Sequence, residues 1–125
     1  MTMLDRARGA LVLVDYQGKL MPAIADGRSA LDEALFLAQV ARALHVPVIG
    51  TEQNPRSLGH NDEAIRASCD HTLPKMHFGA CADGLVERLR SLERDIAQVV
   101  IAGCETHVCL LQSALGLLDA GLQVA

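Results

Sequence analysis

Short, uninterrupted apolar runs constrain this chain most. Residues 10–15 read ALVLVD, five apolar side chains that stop at a carboxylate. A strand with one wet face would alternate, so an unbroken run belongs to a strand buried on both faces, as in a parallel sheet covered by helices. The pattern returns at VPVIG, residues 46–50, and at QVVIAG, residues 98–103. Between the first two runs, Leu31, Ala34, Leu35, Ala38, Ala41 and Leu44 recur in steps of three and four. That spacing predicts an amphipathic helix over 29–44, with Ser29 as N-cap and Asp32 and Glu33 in the first turn.

The rest of the chain continues the alternation. Residues 51–61, with Pro55, Gly59, Asn54 and Asn61, read as a long loop, and a short helix is expected over 62–68. TLPKMHFG, residues 72–79, is extended, because Pro74 disfavours helix at Leu73 and Gly79 breaks the run. Helices are expected over 83–92, on the stripe Leu85, Val86, Leu89 and Leu92, and over 108–120, ended by Gly121. LQVA, residues 122–125, starts one more strand. This order is that of an α/β, Rossmann-like doubly wound parallel sheet with helices on both faces, in three layers. Such sheets gather functional groups at the carboxyl ends of their strands, here Asp15, residues 51–54 and the turn from Gly103 to Cys109. The last strand stands at the end of the chain with nothing to cover it, so the fold reads as cut short.

Composition narrows the function classes. At 125 residues and 13.4 kDa the chain suits one domain, residues 1–125, and with half its residues hydrophobic it can bury a core. One Tyr, two Phe and no Trp leave no platform for stacking bases, and a net charge of −4 opposes a phosphate-binding face. Nucleic acid is therefore not expected as a partner. Nor is a membrane, since no run approaches the roughly 18 apolar residues of a span. The short run before Asp15 is not a signal peptide, so a cytoplasmic location is expected, with Cys69, Cys81, Cys104 and Cys109 as thiols.

Three residues stand out as carriers of chemistry. Asp15, at the end of a buried strand, is costly to desolvate unless paired; it reads as a general base or as a carboxylate capping a turn. Cys109 falls at the start of the helix after the strand 98–103, where unpaired N–H groups favour thiolate and an oxyanion; the alternative is a small buried hydrophobe. Lys75, between Pro74 and Met76, is a solvated lysine or a stem lying along the core with its ammonium near an acid. Together they form a self-consistent trio: the acid takes the thiol proton and the lysine keeps the acid ionised. Cys104, Cys69 and Cys81 read as structural. No metal site is expected, because the cysteines and histidines show neither C-x-x-C nor H-x3-H pairing, and no glycine-rich phosphate loop follows any strand. No cofactor is expected.

The segments LVLVDYQGKLMPAI (11–24), PVIGTEQNPRSLG (47–59), LPKMHFGAC (73–81) and VVIAGCETHVCLLQSALGLLDAG (99–121) carry a resemblance. The chain resembles the isochorismatase-like cysteine hydrolases, which include nicotinamidases and N-carbamoylsarcosine amidohydrolases, and looks closest to the isochorismatase domain-containing proteins. G-x-x-T-x-x-C, from Gly103 to Cys109, is the most specific match. The resemblance implies Asp15 as base, Lys75 as its cationic partner and Cys109 as nucleophile. It also implies a cis peptide between Cys104 and Glu105, with the N–H groups of Glu105 and Cys109 forming the oxyanion hole. Gln17, Glu52, Phe78, Thr106 and His107 are the expected substrate-binding residues, by loop position.

The resemblance also has departures. Nicotinamidases carry an Asp-x-His metal site after the second strand, where Glu52 and Asn54 stand here, so the metal is not carried over. Isochorismatases lack the nucleophilic cysteine, so Cys109 points to a metal-independent amidase-like hydrolase acting on a small-molecule substrate through a thioester. Family members also continue past this C-terminus. A homo-oligomer is implied by the resemblance, with the apolar helix 108–120 as a shared surface. The competing reading is a non-catalytic protein, an oligomeric scaffold or a redox-responsive one, that keeps the fold and its thiol.

Overall fold

A computed structural model describes residues 3–125. Five strands form one all-parallel sheet: β1 (Gly9–Val14), β2 (Val48–Gln53), β3 (His71–Lys75), β4 (Gln98–Gly103) and β5 (Gln123–Val124), in the order β3-β2-β1-β4-β5. The helices are α1 (Gly27–Ala43), α2 (Pro55–Leu58), α3 (Glu63–Ser68), α4 (Leu85–Arg90) and α5 (Leu111–Asp119). Chain direction across the sheet reverses at β1, which pairs with β2 on one side and β4 on the other. This is the doubly wound topology that the order of elements predicts.

The unbroken apolar runs do what their pattern requires. In β1, Val12 and Val14 face one core with Ile49, Leu85, Leu89, Val99 and Leu117. Leu11 and Leu13 face the other, with Leu31, Ala34, Ala38, Val48 and Ile65. All four β1 side chains are fully buried, each worth about 1.5–3 kcal/mol relative to exposure. The first core is closed by α4 and α5, the second by α1 and α3. No helix among the described residues is long and apolar enough to cross a membrane.

Several boundaries differ from those read in the sequence. Helix α1 starts at Gly27, not at Ser29, and its N-cap Asp26 sits at φ 53° with no side-chain cap. Ser29 lies inside the helix, and Asp32 pairs instead with Arg28 one turn earlier at 3.3 Å, exposed. Strand β2 runs on through Thr51, Glu52 and Gln53, residues read as loop, because β3 pairs with them to Lys75. The helix over 62–68 forms as α3, and the Asp62 side chain caps it through Ala64 N–H. The long helix expected from Val108 begins as a wider π turn over Thr106–Leu110 before α5 takes over.

Candidate active site

Register brings the candidate residues to one end of the sheet. Val14 stands beside Thr51 and Gly103, and Gln53 beside Lys75, so the carboxyl ends of four adjacent strands lie level. Gly103, at φ 153°, is required here: a Cβ would run into the Val14 backbone, which accepts a hydrogen bond from Cys104 N–H at 2.9 Å.

Asp15 follows β1 directly. Strict alternation would send its side chain to the side of Leu13, away from Cys109. At φ 59° the backbone leaves the strand, and the carboxylate comes to the face of Val14 and Thr51 instead. Asp and Asn tolerate this left-handed region better than most residues. Asp15 is fully buried. Its Oδ1 accepts from Thr51 Oγ1 at 2.8 Å, and its Oδ2 lies 3.0 Å from Lys75 Nζ.

Lys75 is a buried lysine with its ammonium in the site. Three oxygens accept its hydrogen bonds: Gln53 Oε1, His77 O at 3.1 Å and Phe78 O at 2.9 Å. An ammonium has three protons, so these bonds use all of them. The contact with Asp15 is accordingly ionic rather than directed, and Oδ2 has no hydrogen-bond donor among the described residues. Removing either charge would strand the other in the core.

Cys109 is buried in the π turn, packed in the core of Val14, Leu85 and Leu117. Its Sγ lies 3.9 Å from Gln53 Oε1. Burial pushes the thiol up, and the nearby Asp15 carboxylate pushes it further; Lys75 pulls it down without prevailing. This corrects the expectation of a thiolate favoured by a helix start. The cysteine lies in a π turn ahead of α5, where burial first and the Asp15 carboxylate second oppose the thiolate.

The peptide between Cys104 and Glu105 is cis, and Glu105, Thr106 and His107 are exposed beside it. Cys104 turns to the other core, 3.9 Å from Met21 Sδ. Burial pushes its thiol up, as it does for half-buried Cys81 and for Cys69, which reaches about 11.

Two expected substrate-binding residues are not placed for that role. Gln17 is fully buried, and its amide is committed to the backbone: Nε2 donates to Gln53 O at 2.8 Å and Gly59 O at 2.7 Å, while Oε1 accepts from Gln53 N–H at 2.7 Å. It brackets the loop after β2. Glu52 points to the opposite face of the sheet, where Asn61 N–H donates to it at 2.7 Å and His60 and Arg66 approach at 3.1 and 3.5 Å. In a strand, neighbours one residue apart face opposite sides, so Thr51 and Gln53 meet Asp15 and Lys75 and Glu52 does not. Thr51 and Gln53 lie within the strand-end stretch 51–54, but only Glu52 of that stretch is an expected site residue. The available signal was period-two continuation from Ile49, which the loop reading of 51–54 concealed. Among the described residues no group of three or more His, Cys, Asp or Glu is placed to hold a metal ion, and Glu52 with Asn54 does not supply one. Phe78 is 57% exposed, beside Met76, Gly79 and Gln112 along an open groove.

Comparison with known proteins places this arrangement. The isochorismatase domain family matches residues 9–125. Isochorismatase domain-containing protein 2 of Rattus norvegicus is 37% identical over 114 residues, covering 91% of this chain and 53% of its own length. The solved MAR1 ribonuclease of Caenorhabditis elegans superposes with a TM-score of 0.88 at 28% identity, covering 98% of this chain and 64% of that one. The Escherichia coli YcaC protein, an octameric hydrolase of unknown specificity, shares the fold with a TM-score of 0.85 at 23% identity, covering 97% of this chain and 62% of its own. The chain thus spans little more than half the length of the curated relatives it matches. With the match running through every strand of the sheet and through the cysteine turn, the chain belongs to the isochorismatase family.

Proposed function

We propose that this protein is a metal-independent cysteine hydrolase acting on a small amide or related carbonyl compound. The observation that supports this most is Asp15 Oδ2: a buried carboxylate oxygen without a hydrogen-bond donor, beside Lys75 and near a thiol that burial and the carboxylate push up. A protonated thiol needs a base at the moment of attack, and an unbonded carboxylate oxygen is that base.

The reaction runs in two halves. Asp15 takes the Cys109 proton as Sγ attacks the substrate carbonyl carbon. The backbone N–H groups of Glu105 and Cys109 hold the oxyanion. Collapse breaks the C–N bond, the leaving amine takes the proton from Asp15, and a thioester remains. Asp15 then deprotonates water, which attacks the thioester, releases the acid and returns the proton to Cys109. Lys75, 3.0 Å from Asp15 Oδ2, compensates the carboxylate charge each time the proton has left it. Phe78, Thr106 and His107, exposed in the loops beside Lys75 and Cys109, would contact the substrate.

The test is a panel of small amides incubated with the enzyme, quenched in acid and analysed by intact-mass and peptide mass spectrometry. A mass added at Cys109, absent in Cys109→Ala and accumulating without turnover in Asp15→Asn, is expected. Turnover undiminished in Cys109→Ala would overturn the reading. A second reading comes from the ribonuclease name of the Caenorhabditis elegans relative. A net charge of −4 and scarce aromatics favour it less, and RNA cleavage that survives Cys109→Ala would establish it. The redox-responsive alternative wants a stabilised thiolate, and all four thiols are pushed up instead.

We also propose that the protein self-associates, as its octameric fold neighbour does, and that α5 supplies the contact. Leu111, Leu115 and Leu118 lie one turn apart on its outer face, each about half exposed.

A further inference from the structure

The Lys75 ammonium depends on a loop whose side chains are not packed into the core. Two of its three hydrogen-bond acceptors are the carbonyls of His77 and Phe78, just downstream of the lysine itself. Met76, His77 and Phe78 all have exposed side chains, so packing does not hold these carbonyls inward. One carboxylate oxygen does much of that holding. Asp83 Oδ2 accepts from Met76 N–H at 3.1 Å, from His77 N–H at 3.0 Å and meets His77 Nδ1 at 3.1 Å. Asp83 itself is rigidly placed, in the 3-10 turn Ala80–Asp83 that leads into α4, and Ala80 N–H donates to the buried hydroxyl of Ser113 at 3.0 Å. Although burial opposes the charged form, the bonds from His77 and Met76 hold the Asp83 carboxyl below its ordinary range, so its charge persists across neutral pH.

We propose that Asp83 is a positioning residue that keeps Asp15 Oδ2 free to act as a base, by fixing the 76–78 loop so that its carbonyls, and not Asp15, take the protons of Lys75. The proposal rests on the cysteine-hydrolase reading and deepens it. The physical argument is competition for three N–H groups. With both carbonyls in place, Gln53, His77 and Phe78 take all three, and Asp15 feels the charge of the ammonium without a directed bond. If the loop is released, an N–H turns to the nearest buried anion, Asp15 Oδ2 at 3.0 Å. A charge-assisted bond there is stronger than one to a neutral carbonyl and weakens the carboxylate as a proton acceptor. Asp83 touches neither substrate nor thiol in this scheme and acts only through Lys75.

The test is the pH profile of iodoacetamide alkylation, resolved by cysteine, which needs no known substrate. In the intact protein the Asp15 carboxylate holds the Cys109 thiol up. Asp83→Ala should therefore loosen that hold, lowering the Cys109 midpoint by about half a unit, or about threefold in rate at pH 8. Cys69, on the opposite face, should be unchanged. Asp83→Asn, which keeps an accepting oxygen, should recover most of the wild-type profile. Asp83→Ala added to Asp15→Asn should produce no further shift, because the effect passes through Asp15. A Cys109 profile in Asp83→Ala identical to wild type, with Asp15→Asn shifting it, would leave Asp83 a structural residue and overturn the proposal. If neither Asp15→Asn nor Lys75→Met moves Cys109, the hydrolase reading itself has failed. Should Asp83→Ala not fold, Gly insertion between His77 and Phe78 releases the same carbonyls and must give the same downward shift; no shift there overturns the proposal equally.

Discussion

A buried carboxylate and a buried ammonium 3.0 Å apart make the most demanding pair of residues in this protein. Neither side chain tolerates the loss of its partner, since the survivor is left as an uncompensated charge in the core. Asp15→Asn and Lys75→Met should each cost about 3–5 kcal/mol, measured by urea unfolding, while the double variant should be more stable than either single one. The two single changes should move Cys109 in opposite directions. Asp15→Asn removes the carboxylate that raises the thiol, so alkylation should reach half-maximal rate at lower pH. Lys75→Met removes the one group that lowers it, so the midpoint should rise. Shifts of the same sign would mean that the two charges do not act on the thiol separately. Asp15, Lys75 and Cys109 were legible from residue type and strand-end position. Gln53, whose Oε1 faces both Lys75 and Cys109, was not, because its role depends on which face of the sheet it takes.

At the scale of elements, a strand boundary explains most of what the chain alone concealed. Pro55 and the two asparagines marked 51–61 as loop, and they do stand in one, but β3 pairs with β2 as far as Gln53. Three residues of extra strand impose alternation on Thr51, Glu52 and Gln53, which turns the charged one away from the site and the neutral ones into it. Local propensity does not reveal this, since pairing is supplied by a partner about twenty residues downstream. β4 shows the opposite case. Its limits, 98–103, follow from the sequence without adjustment, because an unbroken β-branched run bounded by turns has no competing assignment. Its last residue is a sensitive joint: Gly103→Ala places a Cβ against Val14 at φ 153°. The change should cost about 2–5 kcal/mol from overpacking and backbone strain together. A thermal melt measures that cost, and an unchanged melting temperature would show that β1 and β4 can separate freely.

For the molecule as a whole, the reversal of winding at β1 brings the candidate residues together. β1 and β4 are neighbours whose connecting helices lie on opposite faces, and Asp15 and Cys109 follow the ends of these two strands. A cleft opens at such a switch point because the loops diverge there. The same winding leaves one side of α5 facing outward. Leu115→Glu, in the middle of its exposed leucine row, should reduce the assembly mass in sedimentation velocity without lowering the melting temperature of the monomer. An unchanged mass would place any self-contact elsewhere.

By itself the sequence determined the class of fold, the order of its elements and the three residue types at the strand ends. Burial on both faces, helical period and turn residues are local signals, each carried by a few adjacent side chains. Only the tertiary structure decided which face each strand-end side chain takes, that Glu52 lies opposite the site, and that the Cys109 thiol is raised rather than lowered. Those outcomes depend on strand pairing, on a left-handed kink at Asp15 and on charges brought together from distant positions, and none of these is written in any one stretch of chain.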